Sequence, residues 1–237
     1  MRRFFDPATI VLLMILAYMS ITSGRFSSPV DWLVGVLLTL PAIIIAISFH
    51  EFAHAVTAYK LGDHTPKFQN RVTLNPVAHL DPFGLLCIIF IGFGWGKPVM
   101  VNPLNFRYRK RDEIIVSLAG VTMNLFLAVI FCAVFAFYLK SIGYYPFSGA
   151  AWAIAETLEN IVWINLVLMI FNLIPVPPLD GFNVVTELLH IKYTETYYKI
   201  YNNGMWILML LIIFNVVGVI LRHTVSPIFN FLFYLFL

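Results

Sequence analysis

Five or six stretches of this chain are apolar and long enough to be drawn as membrane segments, and that decides which solvent the fold is built for. The first runs roughly from Pro7 to Ser23, the second from Asp31 to Leu61 with Gly62 as its stop, and the third from about Glu113 to Leu139. A fourth runs from about Ala151 to Ile174, ending at a run of prolines, and a fifth from Gly204 to Leu221. The tail from Val225 to Leu237 is short for a span and suits an interfacial or partial helix. Composition agrees: 60% of the residues are hydrophobic, 11% are charged and Phe occurs 22 times. Mean hydropathy is +0.86. A soluble core of 237 residues has no use for so much apolar surface. The expected fold class is an all-α polytopic membrane protein, one membrane-embedded domain over residues 1–237 with its core over 31–192.

Several function classes drop out at once. A net charge of +3, with the basic residues spread among loops, gives nucleic acid no patch to bind. Cys87 and Cys132 each lie inside an apolar stretch, so neither a disulfide framework nor a paired-cysteine metal site is expected. Arg2 and Arg3 followed by the apolar run from Ala8 to Ile21 resemble a secretory signal, but the residues from Ser20 to Gly24 make a weak cleavage site. The stretch reads as the first membrane helix.

Between the second and third segments, Phe83–Trp95 is apolar for 13 residues and contains Gly84, Gly92 and Gly94. A helical span needs about 20 residues, so this stretch is expected as a re-entrant or interfacial loop packed on protein. Phe68–Leu74 and Lys97–Val101 alternate enough to form a small β element beside it. With the N-terminus inside and alternating spans, 12 of the 15 Lys and Arg residues fall on the inner side. The positive-inside rule then predicts a multi-pass protein of the cell membrane with its N-terminus in the cytoplasm.

The second segment carries His50-Glu51-Phe52-Ala53-His54. Residues four apart share a helix face, so both imidazoles can reach one ion, and Glu51 can take a proton from a water held there. Ionisable groups in so apolar a setting are expensive and usually functional. Lys60 marks the expected inner boundary six residues after His54, which puts the site roughly 9 Å below the inner surface at about 1.5 Å per residue. Catalytic zinc takes a third protein ligand and keeps a position for water. The best candidate is Asp180, following Asn172-Leu173-Ile174-Pro175-Val176-Pro177-Pro178-Leu179. The prolines stop the fourth helix, and irregular backbone at that depth must be buried or line a wet cavity. The competing use of Asp180 is an N-cap for the next helix.

An HExxH pair in a membrane helix, followed more than a hundred residues later by NxxPxxxLDG, resembles the site-2 protease family in its compact form without PDZ or CBS domains. The likeness covers about Leu40 to Gly181 and includes Asn75-Pro76, His79-Leu80-Asp81-Pro82 and Gly94-Trp95-Gly96-Lys97-Pro98. A glycine-and-asparagine motif is matched in part by Gly120-Val121-Thr122-Met123-Asn124, with Val121 where the family often has Pro. The resemblance implies one zinc ion per chain held by His50, His54 and Asp180, with Glu51 as general base. It implies an intramembrane endopeptidase acting on membrane-spanning protein substrates in regulated intramembrane proteolysis. Asn124, four residues after Gly120, is expected to hold the substrate carbonyl or the developing oxyanion. His79 is expected to be a packed, hydrogen-bonded histidine, and Asn165 a helix–helix contact. The alternative is a catalytically inactive or non-proteolytic zinc-binding membrane protein; retention of all four site residues weighs against it. A transporter would string its ligands along a path, whereas these converge.

Overall fold

The computed structural model describes residues 28–91, 94–143 and 148–237, and the expected first segment lies outside them. The described residues form nine α-helices and no strand. The first, α1, runs from Pro29 to Lys60. Ser28 starts it by accepting the Asp31 N–H at 3.1 Å, and Pro29 occupies the first turn, where a missing N–H costs nothing. Gly62 follows with φ +106°, a left-handed turn suited to glycine, and ends the helix where the sequence places its stop. Two one-turn helices come next, α2 (Thr65–Phe68) and α3 (Pro76–His79), then α4 (Pro82–Ile91).

The second long helix, α5, spans Arg109–Ile142, and α6 spans Ala150–Leu173. Beyond the prolines come α7 (Asp180–Leu188), α8 (Glu195–Ile213) and α9 (Val216–Phe236). Among the described residues α1, α5, α6 and α9 are long and apolar enough to cross a membrane. Helices α1, α5 and α6 pack on one another, and α9 leans on α5 and α6. Small residues and thin side chains line the seam: Ala128 and Cys132 of α5 meet Val162 and Leu166 of α6, all fully buried, with Val225 of α9 beside them. At 1.5 Å per residue α5 is about 51 Å long, well beyond the ~30 Å of hydrocarbon. Its charged first turns therefore stand clear of the apolar layer.

Three expectations change. The small β element is absent from the described residues; only an antiparallel bridge between Leu80 and Gly96 remains. The reason is where the backbone donors go. Pro98 has none, Lys97 N–H bonds the His79 carbonyl, Val99 N–H bonds a side chain, and Arg71 N–H closes a turn on Pro66. The apolar stretch after Pro82 is a ten-residue helix rather than a loop, and at about 15 Å it is too short to cross the apolar layer. The last apolar stretch divides differently as well. Asn215 adopts a left-handed conformation, φ 57°, which breaks the run between Gly204 and Leu221. The tail from Val225 is the second half of α9, a 21-residue candidate span, rather than a short partial helix.

The end of α1 is tied to the chain leading into α5. Asp63, fully buried, accepts from Thr65 N–H at 3.0 Å, Thr65 Oγ1 at 2.6 Å, Asn102 N–H at 2.7 Å and Asn105 Nδ2 at 2.7 Å. Burial alone would raise its pKa, but these bonds outweigh it and hold the carboxyl below its usual value.

Candidate metal centre

His50 and His54 project from one face of α1 toward α5 and are both buried. His50 Nδ1 lies 2.6 Å from Asn124 Oδ1, and His54 Nδ1 lies 2.7 Å from the Val116 carbonyl. Both partners are acceptors, so both Nδ1 atoms carry the proton and both Nε2 atoms present lone pairs. The Nε2 atoms are 3.0 Å apart. Asp180 Oδ2 stands 3.3 Å from His50 Nε2 and 3.2 Å from His54 Nε2, and it is a buried oxygen with no hydrogen-bond donor. Three acceptors thus face one another with no proton between them, which is repulsive unless a cation joins them. Ligand atoms on a tetrahedral zinc with bonds of about 2.0–2.1 Å are about 3.3 Å apart. The triangle fits a zinc ion.

Asp180 reaches this position because the prolines end α6 at Leu173 and the chain turns back before α7. Asp180 opens α7, yet no side chain caps that helix, so the N-cap use is not the one made. Gly181 lets the start of α7 sit against the Leu173 carbonyl. On the other side, a Cβ at Gly120 would lie 2.5 Å from both His50 Cε1 and His54 Nε2. The bare backbone of α5 at this position is what leaves room for the imidazoles.

The sequence profile of peptidase family M50 matches residues 38–215, most of the chain and the whole of this site. The chain belongs to peptidase family M50. A protein of Bacillus subtilis named provisionally as zinc metalloprotease YwhC is 42% identical over 151 residues, 62% of this chain and 67% of that one. Two proteins given, equally provisionally, the name zinc metalloprotease Rip2 are 29% identical over 161 residues (Mycolicibacterium smegmatis) and 28% over 166 residues (Mycobacterium tuberculosis). Those alignments cover 66% and 68% of this chain but 59% and 60% of the relatives. No solved structure matches the chain. Membership makes this M50 chain a metalloprotease of the membrane, and zinc is the metal that the family and the triangle share.

The structure brings His50, His54 and Asp180 together, with Glu51 one residue along on α1. Against His50 it sets Asn124. That residue is fully buried, and its amide is occupied by His50 through Oδ1 and by the Ala46 carbonyl (3.2 Å) and Asn165 Oδ1 (2.9 Å) through Nδ2. In this arrangement it holds His50, and the α1–α5–α6 seam closes around it. His79 is fully buried with Nε2 bonded to the Thr73 carbonyl at 2.7 Å, as a packed histidine should be.

Beside the triangle opens a cleft of about 460 Å³. Val99 and Met100 line one part of it, and Tyr193, Tyr197 and Tyr201 another. The Tyr197 and Tyr201 rings stack at 5.7 Å. At the rim, half-buried Lys192 pairs with Glu113 of α5 and, at 3.0 Å, with Glu187 of α7. Sequence reasoning did not find this wall. Its signal was Tyr197 and Tyr201, one turn apart on α8, with Tyr193 just ahead of the N-cap Thr194.

Proposed function

We propose that this M50 chain is an intramembrane zinc endopeptidase that cleaves membrane-spanning polypeptides within or near the bilayer, in regulated intramembrane proteolysis. His50, His54 and Asp180 hold the metal and Glu51 is the general base. The observation that carries the reading is the triangle of three lone-pair atoms 3.0–3.3 Å apart, two of them from the helix that also bears Glu51 and the third from Asp180 of α7. Zinc, when bound, supplies Lewis acidity that brings the pKa of its water near 7 and polarises a carbonyl. The chain does the rest. Asn124 and the Val116 carbonyl fix the orientation of the two imidazoles. Glu51 takes the proton of the attacking water and returns it to the departing amine. The cleft receives the scissile segment in extended form, since a substrate helix conceals its peptide bonds and must unwind first.

The site opens toward the end of the bundle where α1 finishes and α5 begins, the end rich in Lys and Arg. That bias supports a cell-membrane protein with the site on the cytoplasmic side. Glu51→Gln removes the base and leaves the ligands. Cleavage is expected to fall at least 100-fold while the purified protein keeps its zinc. Membrane proteomes of cells carrying either form then name the substrates as uncut fragments. Cleavage retained in Glu51→Gln overturns the reading.

A further inference from the structure

We propose that the strap from Gly96 to Val101 aims Glu51, the Val99 amide holding the carboxylate directly and Arg71 serving as a positioning residue behind it. The inference rests on Glu51 being the base. Glu51 Oε2 accepts the Val99 N–H at 2.9 Å. The other oxygen lies near the strap's start, since a Cβ built on Gly96 would come within 3.8 Å of Oε1 and 2.7 Å of Ile47. The strap therefore lies across the carboxylate, with no side chain at position 96 to hold it off. A base needs one oxygen free and correctly aimed. An amide on its neighbour removes the rotation that would spread that aim.

The strap is itself fixed at both ends. At the start, Lys97 N–H donates to the His79 carbonyl at 2.7 Å, and Gly96 bridges Leu80. Arg71, buried, sends Nη1 to the carbonyls of Ala78 and, at 3.1 Å, Lys97, clamping the two segments that meet at that bridge. At the far end, the Asn102 N–H is held by Asp63. The path from the guanidinium to the base is thus Arg71, the Lys97 carbonyl, Pro98, the Val99 N–H and Glu51. Each contact is a hydrogen bond or a covalent step through a proline whose φ is fixed. A misplacement of about 1 Å in a reacting group can cost roughly 100-fold in rate.

The test uses the full chain and a quenched-fluorescent transmembrane peptide with a Gly-Pro pair in its apolar run. Val99→Pro deletes the donor, whereas Val99→Ala keeps it and reports the side chain alone. Val99→Pro is expected to lower kcat roughly 10- to 100-fold below Val99→Ala, with KM within about twofold and zinc content unchanged. Arg71→Ala is expected to lower kcat in the same way and Arg71→Lys to restore part of it; this pair decides if Val99→Pro does not fold. A readout independent of turnover is the Val99 amide in ¹⁵N-valine-labelled protein, which exchanges slowly in the wild type and fast in Glu51→Ala. Equal kcat in Val99→Pro and Val99→Ala, an effect confined to KM or zinc, or equal exchange with and without the Glu51 carboxylate overturns the inference. An inactive Glu51→Gln beside fully active Val99→Pro and Arg71→Ala removes this inference alone. An active Glu51→Gln removes the proposed function first.

Discussion

Two imidazoles become useful ligands only when something else holds their far nitrogens, and here each has its own acceptor. His54 leans on a backbone carbonyl that no substitution removes, whereas His50 depends on the Asn124 side chain. Asn124→Ala is therefore expected to weaken zinc binding by about 10- to 100-fold, measured by competition with a chromophoric chelator. Gly120→Ala acts by bulk. Its methyl would stand 2.5 Å from His54 Nε2, so we expect zinc to be lost altogether, with the helical content kept. Full zinc occupancy in that variant would mean that α5 can draw back from α1.

At the scale of elements, the Asp63 knot joins the end of α1 to the segment leading into α5, and with it the far end of the strap. Asp63→Ala leaves the Asn102 N–H and Asn105 amide without their acceptor and should cost about 1–3 kcal/mol, read from thermal unfolding in detergent. Because the folded pKa is depressed, the stabilisation is present above the unfolded value of about 3.9 and disappears as pH falls through the folded one. The wild type should thus lose its advantage over Asp63→Ala only below about pH 4. An advantage that vanished near neutrality would place its origin elsewhere.

Legibility in the sequence followed the range of the forces. The spacing of His50 and His54 and the prolines before Asp180 speak through local geometry, and the structure brings those three together. The strands expected near Phe68 and Lys97 failed because strand propensity does not foresee that Val99 would give its N–H to a carboxylate 48 residues away. The break at Asn215 went unforeseen for a related reason, since a lone asparagine in an apolar run bonds a neighbouring helix or breaks its own, and only packing decides which. Asn124 stood out in the sequence, but its bond to His50 did not. Its distance in sequence from His50 concealed that α5 would press it against α1.

For the whole molecule, the alternation of spans puts both long connections, 61–108 and 174–215, at the end that holds the site. Single cysteines at Lys67 and Ser148, in a chain without Cys87 and Cys132, should be labelled by an impermeant maleimide from opposite faces of sealed vesicles. Lys67 is expected to react from the cytoplasmic face; labelling of both from one face would contradict the topology.

The buried amides of Asn124 and Asn165 also bear on traffic. They rivet three membrane-crossing helices together at the level of the histidines. Prying those helices apart would strand polar groups in hydrocarbon, at about 1–3 kcal/mol each, and would unseat His50 in the same motion. On the proposed function, a polypeptide would be expected to come in from the other side, through the cleft between the fixed Val99 backbone and the tyrosines, which lies open without any of these helices moving apart.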